Sequence, residues 1–143
     1  QWVASGSYDG SLRLWSVEHG EAVRTLSHTA PVTTVAIAPD GKSVASGAND
    51  GTLRLWSSAD GTVITELARA HSDKVASLCF VGTTFLASGG RDDHVRLHTI
   101  PAGKALAASK LHVDCVVALA VAPDGSWLAS GAHDKSVRVW RLR

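Results

Sequence analysis

The sequence has no methionine, one tyrosine, two phenylalanines and two cysteines, and each scarcity narrows what the chain can be. With no methionine and with glutamine at position 1, it is expected to be a fragment or a processed product. Cys79 and Cys115 lie too far apart in sequence for a close metal-type spacing and are too few for a disulfide framework, so a reducing, intracellular setting, cytoplasmic or nuclear, is expected. The longest apolar stretches, such as Val116 to Ala122, fall far short of the ~20 residues that span a bilayer, and no signal segment opens the chain. Charge of either sign is also lacking in excess: 14 Lys and Arg face 13 Asp and Glu, with no block of like charges. Neither nucleic acid nor a membrane surface is therefore expected as a partner. What remains is a globular composition, 45% hydrophobic with a mean hydropathy of +0.07, able to bury a core.

What the sequence does have is self-similarity. ASGSYDGSLRLW from Ala4, ASGANDGTLRLW from Ala45, ASGGRDDHVRLH from Ala87 and ASGAHDKSVRVW from Ala129 are copies of one pattern. Their aspartates, Asp9, Asp50, Asp92 and Asp134, are 41, 42 and 42 residues apart, and the windows close on Trp15, Trp56, His98 and Trp140. A second block precedes the later windows: His28 with Val32, Val35 and Ile37; His71 with Val75, Leu78 and Phe80; His112 with Val116, Leu119 and Val121. A period of this length marks an architecture of repeated supersecondary units.

Within one period the signals are those of short strands. Val32 to Ala38 is rich in β-branched residues and ends at the turn sequence Pro39-Asp40-Gly41; Lys42 to Gly47 follows; Asp50-Gly51 turns the chain into Thr52 to Trp56; Asp60-Gly61 leads into Thr62 to Leu67. No stretch offers the 3.6-residue periodicity of a long helix. Four such strands make one antiparallel sheet with apolar residues on both faces, which must be covered on both sides. Stacking successive sheets around an axis does this, so the expected fold is an all-β propeller of four-stranded antiparallel blades.

These windows resemble the WD-repeat family, whose repeats run to about 40 to 45 residues with four strands per blade. The likeness covers nearly the whole chain, with departures. The family's Gly-His pair stands as Ser27-His28, Ala70-His71 and Leu111-His112, and its Trp-Asp pair as Trp15-Ser16, Trp56-Ser57, His98-Thr99 and Trp140-Arg141. With strands labelled a to d from the centre outwards, the family pattern places Trp2 to Ser5 in b. The chain then reads bcd, abcd, abcd, abc, about three and a half blades, with repeats of roughly 1–27, 28–70, 71–111 and 112–143 in one partial propeller. By resemblance this is part of a seven-bladed ring, whose N-terminal half is expected to be missing.

Several constellations look like chemistry. Ser46, Asp50 and His28, with Ser88, Asp92 and His71, and Ser130, Asp134 and His112, contain the ingredients of a hydrolase triad. An enzyme needs one such site, whereas these recur once per repeat with Trp56, His98 or Trp140 attached. The resemblance implies a structural tetrad in which Asp receives the His, the His reaches the Ser and the Ser reaches the Trp. Ser5, Asp9 and Trp15 are the corresponding residues of the first blade. A buried polar chain of this kind fixes one geometry when fully satisfied, so removing Asp50 is expected to strand His28 and Ser46. His94 and His98, about 13 Å apart if on one strand, cannot share a metal ion. Gly41-Lys42-Ser43 lacks the earlier glycine and the following helix of a phosphate-binding loop. Arg13, Arg54, Arg96 and Arg138 recur in register, which places each on a different blade, and stem packing with a hydrated head is expected of them. No metal, cofactor or catalytic group is expected.

By the same resemblance, partners meet the face where the d to a and b to c loops emerge. The positions carried over to it are Tyr8, Asn49, Arg91 and His133, each before a turn aspartate. With them go the residues flanking the first strand a valine, Pro31 and Thr33, Lys74 and Ala76, Cys115 and Val117. These slots vary from repeat to repeat while the packing residues do not, which is where specificity can reside. The function expected is a non-enzymatic scaffold or adaptor that binds other proteins or peptides. The alternatives are a regulatory or targeting propeller attached to a catalytic domain, or a half-propeller that self-assembles. Its uncovered sheets lead to the expectation that the isolated chain self-associates.

Overall fold

The computed structural model describes residues 1–142. Every element among them is a strand, fourteen in all, in four antiparallel sheets. The first sheet holds β1 (Trp2–Gly6), β2 (Ser11–Ser16) and β3 (Ala22–Ser27). The second holds β4 (Val32–Ile37), β5 (Ser43–Ala48), β6 (Leu53–Ser57) and β7 (Val63–Leu67). The third holds β8 (Val75–Val81), β9 (Phe85–Gly90), β10 (Val95–Thr99) and β11 (Ala105–Ser109), and the fourth β12 (Val116–Val121), β13 (Trp127–Ala132) and β14 (Val137–Arg141). Strands follow one another across each sheet in chain order, so the fold is a partial propeller whose first sheet begins on strand b and whose last ends on strand c. The boundaries differ by a residue from those read in the sequence, because turn residues such as Ala38, whose N–H bonds to Ser43 O, close the hairpins rather than extend the strands.

Successive sheets pack through strand a of one on strand b of the one before. β5 and β9 are buried along almost their whole length, which their small residues permit. A Cβ on Gly47 would lie 2.6 Å from Val75 Cγ1, and one on Gly89 2.6 Å from Val116 Cγ1. Gly6 faces Val32 in the same way. Valine from each sheet thus fills the hollow over a glycine of its predecessor, and the cores form between sheets. Leu12 and Leu14 pack with Val44 and Trp56. Ala45, Leu53 and Leu55 pack with Val75, Phe80 and Leu86, and Ala87 and Val95 with Val116 and Leu128. The turn after β5 needs its glycine: Gly51 has φ 84°, and a Cβ there would collide with the His71 carbonyl.

Candidate functional site

The recurring polar residues sit between sheets and are connected differently in each one. In the fourth sheet Trp140 Nε1 donates to Ser130 Oγ at 2.9 Å, Ser130 Oγ lies 2.8 Å from His112 Nε2, and His112 Nδ1 lies 3.0 Å from Asp134 Oδ2. The ionised Asp134 carboxylate can only accept, so the imidazole proton sits on His112 Nδ1, Nε2 accepts from the Ser130 hydroxyl, and Ser130 Oγ accepts from the indole N–H. Protons therefore run one way, from Trp140 to Asp134. The order of the last three is that of a hydrolase triad, but Ser130 and Ser88 are fully buried, and a nucleophile that no substrate can reach has no reaction to perform.

The third sheet has the His71 links, 2.8 Å to both Asp92 Oδ1 and Ser88 Oγ, but no link from position 98. His98 is buried, its Nδ1 has no hydrogen-bond partner, and burial pushes its pKa down to about 4. An imidazole is too short to reach Ser88 from a slot built for indole. Arg96 enters instead: its Nη1 donates to Asp92 Oδ2 at 2.7 Å, and Ser72 N–H donates to the same oxygen. Burial alone would raise the Asp92 pKa, yet the bonds from His71 and Arg96 and the imidazole beside it hold it well below the usual carboxylate range.

In the second sheet the expected chain is broken. Trp56 Nε1 donates to Ser46 Oγ at 2.8 Å, but among the described residues both ring nitrogens of buried His28 lack a hydrogen-bond partner, and the exposed Asp50 accepts only from Thr52 N–H, at 3.0 Å. In the third and fourth sheets the residue after the histidine clamps its loop to the aspartate, through Ser72 N–H and Val113 N–H, whereas no such bond joins Thr29 to Asp50. His28 instead lies edge-on to the Trp56 ring, centroids 6.3 Å apart. In the first sheet Trp15 donates to Ser5 at 2.8 Å and Asp9 caps its own turn through Ser11 N–H. The recurring arginines also differ from expectation. Arg54 and Arg96 have carboxylate partners, Glu66 and Asp92, rather than hydrated heads, and Arg138 Nε is buried without a partner. His94 lies in the turn before β10, its ring Nδ1 2.7 Å from Asp92 O, and the described residues contain no group of three metal-type ligands.

The variable positions share one repeated backbone frame. Asn49 N–H donates to Pro31 O, Arg91 N–H to Lys74 O and His133 N–H to Cys115 O, at 2.9, 2.9 and 3.0 Å. Just beyond, the register of strands a and b slips at Thr33, Ala76 and Val117, a β-bulge in each of the last three sheets. Bulges re-aim side chains, so one frame presents different residues at the same place. Lys74, Ala76, Arg91, Cys115 and His133 come together around a cleft of about 220 Å³ between the third and fourth sheets, with Asp114 as the sixth lining residue. Asp114 escaped the sequence reading because it lies one residue outside the slots compared. Tyr8, from the first sheet, is exposed and faces Lys74, whose Nζ stands 5.9 Å from its ring centroid and 3.5 Å from its hydroxyl. Pro31, Asn49 and Val117 lie outside the cleft, and the Thr33 hydroxyl is spent internally on the carbonyls of Gly47 and Val75.

Comparison with known proteins agrees with this architecture. The family described as WD domain, G-beta repeat, matches residues 1–16, 20–57, 61–99 and 103–141. Each of the last three windows runs from strand d of one sheet through strand c of the next, so the sequence repeat clasps two sheets together. GID complex subunit 7 of Schizosaccharomyces pombe is 29% identical over 136 residues, which is 92% of this chain and 27% of that protein. Human Striatin-3 is 36% identical over 72 residues, 50% of this chain and 9% of that protein, and human Striatin 39% over 51 residues, 36% of this chain and 6% of that protein. The chain thus spans about a quarter of the first relative and less than a tenth of the others. Sheets of this topology, repeated at this period and matched almost from end to end, show that the chain belongs to the WD-repeat family.

Proposed function

We propose that this chain is a non-enzymatic interaction surface, a scaffold or adaptor that binds other proteins or peptides on the face formed by its b to c loops and the bulged starts of its strands a. The observation that carries the reading is the division of labour among residues. In the last three sheets the repeated Ser, His, Asp and Trp are packed between sheets or cap turns, while five variable residues, Lys74, Ala76, Arg91, Cys115 and His133, line one open cleft. In the third and fourth sheets, which form the cleft, the tetrad residues then act structurally, holding the loop before strand a against the b to c turn so that this part of the face is rigid before a partner arrives. The relative named as a complex subunit fits a role in assembly. Both cysteines are free, which suits a reducing, intracellular compartment, cytoplasmic or nuclear.

Site-specific photo-crosslinking in the full-length protein tests this. A photoreactive residue at Tyr8 or Arg91 is expected to capture a protein partner that the same probe at Lys104, on a c to d turn at the opposite face, does not. Capture at Lys104 alone would overturn the reading. A second reading, that copies of the chain cover one another, is favoured by the apolar face of the fourth sheet, where Val137 and Val139 stand 74% and 63% exposed.

A further inference from the structure

The cleft between the third and fourth sheets brings together groups of one kind. Arg91 projects from the b to c turn of the third sheet, Lys74 from the loop before β8, and His133 from the b to c turn of the fourth. Among the described residues Arg91 and Lys74 make no ion pair within 4 Å, and neither the Arg91 guanidinium nor the His133 ring has a hydrogen bond there. Two carboxylates are close by, and one of them, Asp114, lines the cleft. Asp73 Oδ1 accepts from Lys74 N–H at 2.6 Å and Asp114 Oδ1 from Cys115 N–H at 2.7 Å, each capping its own strand. Of the permanently charged lining groups, two are cations and one an anion, which leaves one positive charge in excess.

The floor is small and weakly polar, made by Ala76 and the buried Cys115. Burial pushes the Cys115 thiol up; Arg91 and Lys74 pull against it while Asp114 and Asp73 add to it, so charges of both signs reach the floor. The Lys74 ammonium stands beside the exposed Tyr8 of the first sheet, 5.9 Å from its ring centroid, and reaches the cleft by turning from that ring. A volume of about 220 Å³ suits one side chain rather than a cofactor. A guanidinium with all its donors unused presents a planar fork matched to two oxygens of one anionic group.

We infer that this cleft receives an anionic side chain of a partner peptide, carboxylate or phosphate, with Arg91 as the bidentate donor, Lys74 as the second cation and His133 closing the far side. The inference rests on the top-face reading above and names the chemistry of its partner. In the second sheet the slots that Lys74, Ala76 and Arg91 fill in the third hold Pro31, Thr33 and Asn49, none of them charged. Asp114 on the rim disfavours an anion that approaches from its side, so the acidic group must enter past Arg91.

The test is fluorescence anisotropy on the full-length protein with three labelled hexapeptides: glutamate throughout, serine throughout, and serine with one central phosphoserine. The expected result is binding of an anionic peptide and not of the serine peptide, weakening as salt rises, with at least a tenfold loss in Arg91→Glu and in Lys74→Glu. Lys104→Glu, the same charge change on the opposite face, is expected to bind as the parent does. The stronger of the two anionic peptides identifies carboxylate or phosphate as the natural group. Equal binding of the serine peptide overturns the inference, as does an equal loss in Lys104→Glu. Unchanged thermal unfolding of the Arg91 and Lys74 variants excludes a folding defect. Failure here with crosslinks still at Arg91 would refute the ligand chemistry alone; loss of both would refute the face.

Discussion

Arg96 Nη1 donates to Asp92 Oδ2 at 2.7 Å, whereas Arg54, in the same slot of the preceding sheet, donates to Glu66 Oε2 at 2.6 Å and leaves Asp50 without it. The cross-strand neighbour decides which way each turns: Arg54 is registered opposite Glu66 and Arg96 opposite Ala108. One choice on strand d thus determines whether the arginine joins the buried network or stays at the edge.

The two aspartates are therefore unequal, although the repeat makes them look equivalent. Asp92→Ala removes the acceptor of a buried histidine and of Arg96 and is expected to cost about 3 kcal/mol or more. Asp50→Ala loses one turn-capping bond, about 1 kcal/mol, since His28 and Ser46 do not depend on it. Urea unfolding of both variants checks this, and equal losses would return Asp50 to a network with His28.

His98 takes a tryptophan slot without the tryptophan bond. His98→Trp is expected to stabilise the chain by about 1 kcal/mol, because the indole N–H gains Ser88 Oγ as Trp56 and Trp140 gain their serines. Hydrogen exchange gives the local readout: amides of β9 and β10 should slow more than those of β5. A destabilised variant would mean that the slot has closed around imidazole.

Acid should act on the histidines first. Burial holds His98 at about 4 against an ordinary 6.5, and lowers His28 and His71 as well. Between those values the unfolded chain binds protons that the folded chain refuses. Stability is therefore complete above pH 6.5 and falls as pH drops toward 4, by up to about 3 kcal/mol for His98 alone. Asp92 has a depressed pKa, so its contribution persists above the usual carboxylate range and is lost only at lower pH. Unfolding midpoints at pH 8, 6 and 5 should fall less steeply in His98→Trp than in the parent; parallel lines would show that His98 is not the titrating group.

The strands and the common backbone frame of the variable positions were legible because both are backbone features with local signatures. Asp-Gly turns such as Asp40-Gly41 fix where hairpins close, and Gly41 has the positive φ, 69°, that such a turn demands. The frame that pairs Arg91 with Lys74 and His133 with Cys115 follows from the same repeat, so residues chosen by slot came together in space. Side-chain connections were not legible. Whether His28 reaches Asp50 depends on a loop amide bond, and whether Arg96 reaches Asp92 depends on residue 108, a strand away. A repeat pattern averages over such choices.

A Cβ at Gly47 meets Val75 Cγ1 at 2.6 Å and Thr34 Cγ2 and Val75 Cβ at 2.8 Å, branched side chains with little room to turn, so Gly47→Ala should cost about 1 to 3 kcal/mol. Gly131 is the next in the series, yet its nearest contact would be Ala118 Cβ at 3.8 Å, so Gly131→Ala should leave the stability of the isolated chain within about 0.5 kcal/mol. Around that hollow, Val137 and Val139 are largely exposed, while Leu12 and Leu14, their counterparts in the first sheet, are 0% exposed. An apolar sheet face of this kind drives association, so the isolated chain is expected to scatter light as a dimer or larger. Val137→Lys combined with Val139→Lys should shift it toward monomer without lowering its melting temperature, because neither side chain is packed in any of the cores between sheets. If association seats an aliphatic side chain over Gly131, as Val75 sits over Gly47, then Gly131→Ala should weaken association while sparing stability. A monodisperse species near 14.9 kDa from the parent chain would show that the fourth sheet needs no cover.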